Sequence, residues 1–235
     1  MKSSSDTAAG APAAACALAH PVDAGAPGRV PRPRADALRN RERILVAARE
    51  LFVEFGPNAP FDEVARRAGV GNATLYRHFP DRCTLVHHVV LFVMGRVTAT
   101  ARAALAEEAD AFAALCRFTH AAADERIGAL CPMLGDGFDR DHPELHDARE
   151  VLEESVGTML AAGQEAGLIR TDIGVGDLMV ALSQLSRPLP GTGCPEADRF
   201  AHRHLQLFLD GLRAPAPSVL PGSPATFDGL RRKTT

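Results

Sequence analysis

Apolar positions recur at spacings of three and four along most of the chain. Ile44, Ala47, Ala48, Leu51, Phe52 and Phe55 form the stripe of an amphipathic helix, predicted over residues 35–55. Gly56-Pro57 ends it, because Gly supplies the terminal turn and Pro cannot continue the helix. A second short helix is predicted over 62–68, with Asp62 and Glu63 in the first turn, where the helix dipole favours them. Its small apolar face is Val64, Ala65 and Ala68. Gly69-Val70-Gly71 reads as a tight turn, and a third helix over 72–79 is cut off by Pro80. Asp81 is placed to cap a long fourth helix over 82–107. Two short helices on a three-residue Gly turn match a helix-turn-helix. In it Gly69 takes the positive φ of the turn, Val70 packs between the helices, and Leu75 and Phe79 face the core.

The remaining pattern is also helical. A fifth helix over 110–125 carries Phe112, Leu115, Cys116, Thr119, His120 and Ala123 inward. A short broken helix over 126–136 and a loop at 135–138 follow, then a seventh helix over 143–166 with Leu152, Ser155, Val156, Met159, Leu160 and Gly163. An eighth over 175–186 shows Leu178, Ala181, Leu182 and Leu185. A ninth over 196–212 is apolar around much of its girth, through Phe200, Leu205, Leu207, Phe208, Leu209 and Leu212, and so needs cover on more than one side. No segment sustains the two-residue alternation of a strand, and no repeat is visible. The fold class is therefore all-α. A three-helix domain at 34–82 precedes a larger body of about six helices at 83–213. Residues 1–33 and 214–235, rich in Ala, Gly, Pro and Ser without periodicity, are expected to be disordered tails.

Charge changes this picture more than composition does. The 235 residues are 46% hydrophobic with a net charge of −3. Residues 29–82, however, hold 11 basic and 7 acidic groups, against 14 basic and 20 acidic in 83–235. A basic front end on an acidic body points to a polyanion at one end. Five cysteines, odd in number and without a CxxC, argue against a disulfide framework and a structural zinc site. No apolar run approaches the roughly 20 residues of a membrane span; the longest is 89–95. A cytoplasmic protein that does not engage membrane is expected, the Ala-rich stretch at 8–19 being too poor in hydrophobic mass for a signal peptide. No phosphate loop, nucleophile elbow or acid/base carboxylate pair appears, so neither an enzyme nor a cofactor is expected. No metal is expected either. His142 and His146 are four apart, but Pro143 starts the helix and leaves His142 outside it, while His87 and His88 are adjacent.

Residues 68–82, Ala-Gly-Val-Gly-Asn-Ala-Thr-Leu-Tyr-Arg-His-Phe-Pro-Asp-Arg, resemble the signature of TetR-type (tetracycline-repressor-like) transcription regulators. The likeness reaches back through Val64-Ala65 to Ile44-Leu45 and covers roughly residues 36–90. Gly71 stands where the family usually has Ser, Ala73 where it often has Gly, and Ala59-Pro60 where a phosphate-contacting Thr often precedes the second helix. The residues themselves place Asn72, Ala73, Thr74 and Arg77 toward a major groove, where Asn can read adenine and Arg can bind guanine or phosphate. The resemblance implies backbone contacts from Tyr76 and His78, and from Arg82 at the position of a usual Lys. Arg39 and Arg41, with Arg32 and Arg34, form either a DNA-contacting arm or a solvated tail.

The resemblance further implies a homodimer through the last two helices, here Leu178, Leu182, Leu185, Phe200, Leu207 and Phe208, bound to a near-palindromic operator on double-stranded DNA. It implies a repressor released by a small-molecule effector. Effector candidates are Phe92, Phe112, Cys116, Thr119, His120, Met133, Phe138, Ser155 and Met159. Cys116, Thr119 and His120 are polar groups on an apolar face and need partners, either a ligand or a neighbouring helix. Two other readings stay open: a helical enzyme or carrier with a vestigial N-terminal domain, and an architectural DNA binder that senses nothing.

Overall fold

In the computed structural model, which describes residues 33–130, 139, 142–187, 197–226 and 229, regular structure is helical apart from one antiparallel bridge between Ile169 and Arg213. Local signals set the helix ends. Helix α1 (Pro33–Phe55) gives way at Gly56, φ 71°, to a 3-10 turn at Gly56–Asn58. Helix α2 (Phe61–Ala68) ends at Gly69, whose φ of 63° places it in the left-handed region that a side chain disfavours. Helix α3 (Asn72–His78) follows the turn, and α4 (Arg82–Glu107) begins where Asp81 Oδ1 accepts from Thr84 N at 2.7 Å. Asp110 caps α5 (Ala111–Asp124) in the same way. Helix α6 is described over Ile127–Leu130, and the predicted continuation to 136 lies outside the described residues. Helices α7 (Pro143–Glu165), α8 (Val175–Leu185) and α9 (Ala197–Asp210) complete the body.

Helix α4 is the spine. It packs on α1, α5 and α7, burying Leu85, Val86, Val89, Val90, Val93, Val97, Ala101 and Ala104. By length and composition alone it is apolar enough to cross a membrane, contrary to the expectation from apolar runs. A run of 89–95 misses this, because interspersed Ala and Thr extend the apolar stretch at low hydropathy. The spine's apolar side is core. Each large side chain so buried stabilises the fold by about 1.5–3 kcal/mol relative to exposure.

The C-terminal segment departs from expectation. Residues 214–226 are not a free tail but a strap hydrogen-bonded along the body. The nearly buried Arg170 forks onto Asp172, at 2.6 and 2.9 Å, and donates to Ser218 O at 2.7 Å. Asp172 accepts from Leu220 N at 3.2 Å. The Arg170 guanidinium, with that amide, holds the Asp172 carboxyl well below the usual carboxylate range. Further on, Asp177 accepts from Ala225 N at 3.1 Å while Gly176 N donates to Ala225 O at 3.0 Å. A Cβ on Gly176 would lie 2.4 Å from that carbonyl, so this close approach requires glycine. Composition marked the segment as structureless because it has no helical period; the strap is held by anchors on other elements instead. Residues 1–32, including Arg32, lie outside the described residues, as do the link at 188–196, Met133 and Phe138.

Candidate nucleic-acid interface

The reading head is α1 to α3 with the first turns of α4. Leu75 and Phe79 are fully buried, packed into a core with Ile44, Leu51, Phe52, Val64 and Ala65. That anchoring turns the opposite side of α3 outward. Asn72, Ala73, Tyr76 and Arg77 are exposed, and Thr74 and His78 are half-buried. The turn before α3 is held from α1 by Arg43, which donates to Gly69 O at 3.1 Å.

Several side chains expected at DNA already have partners. Asn72 Nδ2 donates to Asp62 Oδ1 at 2.8 Å, so the first turn of α2 orients it. The Tyr76 ring stacks on Phe61, centroids 5.3 Å apart, and the Arg82 guanidinium lies 5.5 Å from the same Phe61 ring. Phe61 thus positions two expected backbone contacts. It escaped the sequence reading because it opens α2 outside the apolar stripe, 15 residues before Tyr76. Arg77 is exposed with no acidic partner among the described residues. Arg66 and Arg67 are instead paired with Glu63 and Glu54.

Two expectations need correction. His78 turns its Nε2 inward, where that atom is buried without a hydrogen-bond partner. Burial first, then the charges of Arg77 and Arg41, push its imidazole pKa down. Burial thus disfavours the charged ring, and that nitrogen faces inward rather than toward a phosphate. Arg39 and Arg41 do not belong to an arm, since both sit within α1. Arg39 pairs with Asp36, and Arg41 lays its guanidinium 4.8 Å from the Phe79 ring centroid. The helix predicted over 35–55 already contains both; what changes is their grouping with Arg32 and Arg34 as one arm, since the helix starts at Pro33, and Pro is well tolerated in a first helical turn.

The head is tied to the body through a buried carboxylate. Glu125, at the end of α5, bridges Arg49 of α1 and Arg96 of α4, with Arg96 Nε at 2.7 Å. It is 7% exposed, and the two guanidinium groups offset the cost of burying a carboxylate there. Glu125→Ala is expected to cost about 2 kcal/mol of stability in chemical denaturation, since hydrogen bonds to charged groups contribute about 1.5–3 kcal/mol. A loss within error would mean that solvent already screens the bridge.

Comparison with known proteins bears on this geometry. A family model described as bacterial regulatory proteins, tetR family, matches residues 44–89. A second, described as transcriptional regulator SbtR-like, C-terminal domain, matches residues 107–214. A solved TetR transcriptional regulator of Streptomyces coelicolor is 32% identical, with 75% of this chain and 99% of that one aligned and a TM-score of 0.58. A TetR transcription regulatory protein of Mycobacterium vanbaalenii is 34% identical over 77% of this chain and 99% of its own, also at 0.58. The chain belongs to the TetR family of transcriptional regulators. A curated HTH-type transcriptional regulator of Staphylococcus aureus is 43% identical over 58 residues, 24% of this chain and 31% of that protein. The chain thus matches about a third of that relative's length.

Among the described effector candidates of this TetR-family chain, Phe112, Thr119 and Met159 are buried, while Phe92, Cys116, His120 and Ser155 are half-buried. Phe112 also carries the Arg213 guanidinium 3.9 Å from its ring centroid, and Phe92 packs partly buried beside Arg96. The inward polar groups have partners within the chain. Thr119 donates to Leu115 O at 2.7 Å, and Ser155 to Val151 O at 2.8 Å. His120 meets His202 at 2.9 Å and Gln206 at 3.0 Å, both on α9. The neighbouring-helix partner expected for His120 is thus in place. Burial raises the Cys116 thiol pKa, which disfavours the reactive thiolate.

The expected dimer residues divide. Leu178 and Leu182 are fully buried in the protomer's own core, and Leu185 and Phe208 are packed against it. Leu178 and Leu182 are therefore not available to a partner. Phe200 and Leu207 of α9, 45% and 61% exposed, keep their apolar surface outside, joined by Val180 of α8 at 39%. The stripe that defined α8 in the sequence is the inward one; Val180, on its other side, was missed.

Proposed function

We propose that this TetR-family regulator acts in the cytoplasm as a homodimeric repressor that reads a near-palindromic DNA operator and is released by a small-molecule effector. The observation that carries the reading is the exposed face of α3, Asn72, Tyr76 and Arg77, set on a short helix that Leu75 and Phe79 anchor from behind. Short polar and guanidinium groups on a rigid helix suit major-groove base edges and flanking phosphates. A twofold dimer presents two such helices, so each half-site repeats in inverted order. Phe200, Leu207 and Val180 supply the apolar surface for that dimer. An effector releases the operator only if it binds the two conformations of the dimer unequally.

Selection of bound fragments from sheared genomic DNA, with purified full-length protein near physiological salt, tests this directly. The expected outcome is enrichment of one inverted repeat. Enrichment of DNA without a shared sequence would favour an architectural binder. No enrichment, also after unfolding and refolding to strip a copurified ligand, would overturn the DNA reading.

A further inference from the structure

We propose that His87, His142 and Glu144 bind one divalent transition-metal ion, such as Zn2+, that clamps the start of α4 to the start of α7. His87 is remote in sequence from the other two. Folding brings one ligand atom of each residue within 4.8 Å of the others. His87 Nε2 lies 3.0 Å from Glu144 Oε2. The His87 and His142 rings meet edge to face, centroids 4.4 Å apart. Zn2+ takes nitrogen and oxygen ligands at about 2.0–2.2 Å in a tetrahedron, whose corners are then about 3.3–3.6 Å apart. One pair is already near that spacing, and a side-chain rotation closes the third corner.

The chemistry of the set selects the ion. Two imidazoles and one carboxylate suit Zn2+, Ni2+ or Co2+, whereas Ca2+ and Mg2+ require oxygen ligands. His142 is already oriented: it caps α7, its Nδ1 accepting from Glu144 N at 3.3 Å. Binding through Nε2 moves the ring proton of neutral His142 from Nε2 to Nδ1, at the expense of that long cap bond. His87 binds through Nε2 in the same way, the Nε2 hydrogen that faces Glu144 moving to Nδ1 of the same ring. Three protein ligands leave a fourth position for water or a small anionic ligand. The pair His142 and His146, compatible by spacing alone, is not the one assembled, since His146 turns to Glu150 at 3.2 Å.

The position gives the ion a regulatory consequence, and this part rests on the proposed DNA reading. His88, next to His87, packs its ring edge-on against Phe79 of the reading head at 5.7 Å. Helix α7 belongs to the body. A bond between the two sites fixes the first turns of α4, and with them the head, relative to α7.

The test uses chelator-treated full-length protein titrated with Co2+, without DNA. Visible absorption of four-coordinate intensity is expected, saturating at one ion per chain. His142→Asn keeps a capping acceptor and is expected to weaken binding at least about 100-fold, as removal of a direct ligand should exceed the 10–100-fold loss from an outer-shell change. Glu144→Gln, on an exposed side chain, is expected to weaken it as well, and His146→Ala to leave it unchanged. Absence of the absorption, or binding as tight as the parent's in both His142→Asn and Glu144→Gln, overturns the site. A separate titration of Zn2+ against operator binding is expected to shift affinity at least about 5-fold in the parent protein and not in His142→Asn. Unchanged operator affinity with an intact cobalt signature overturns the regulatory consequence alone.

Discussion

Replacing Tyr76 and Arg77 together by Ala is expected to lower operator affinity at least about 100-fold while the protein stays folded, each contact contributing about 1–3 kcal/mol. Arg77 is exposed and without an acidic partner among the described residues, so binding DNA breaks no ion pair. Tyr76 is half exposed with its ring already stacked on Phe61, so little side-chain entropy is lost when its hydroxyl meets the backbone. Neither residue belongs to the buried set of Leu75 and Phe79, and truncation should leave the head intact. Fluorescence anisotropy against the selected operator, over a range of salt, is the measurement. The logarithmic salt dependence should become shallower by about one for each phosphate that the variant no longer neutralises. Asn72→Ala should cost less, because Asn72 must first give up its bond to Asp62. If the double variant retained full affinity with normal helicity, the assignment of α3 as the reading helix would be wrong.

A matched pair of leucines separates dimer contact from core. Leu207→Glu is expected to raise the dimer dissociation constant at least about 100-fold, since burying an unpaired carboxylate at an apolar interface costs several kcal/mol. Leu178→Ala should act differently. That side chain is fully buried in its own protomer, so the expected loss is about 2–5 kcal/mol of folding stability. Sedimentation velocity across a dilution series reports the first effect, and chemical denaturation the second. A dimer that withstands Leu207→Glu would move the proposed interface off the exposed side of α9. Monomers from Leu207→Glu should still bind nonspecific DNA, because the head is untouched, but should lose preference for the inverted repeat.

The sequence by itself determined the helices, their order and the reading head. Those features follow from contacts within a few residues. Apolar groups three and four apart define a face, Asp81 and Asp110 cap the next turn, and Gly69 ends α2 in the one conformation that suits it. The side of α3 presented outward was also legible, since Leu75 and Phe79 fix its inner side. Only the tertiary structure decided which side chains meet across helices. Phe61 under Tyr76, Glu125 between Arg49 and Arg96, Ser218 on Arg170, and His87 with His142 and Glu144 join elements whose relative register no local pattern contains. The division of leucines between core and interface has the same origin. Periodicity shows that a helix is apolar on two sides, but which side the protomer covers is set by the interdigitation of side chains on packed helices, a property of the whole core rather than of any segment.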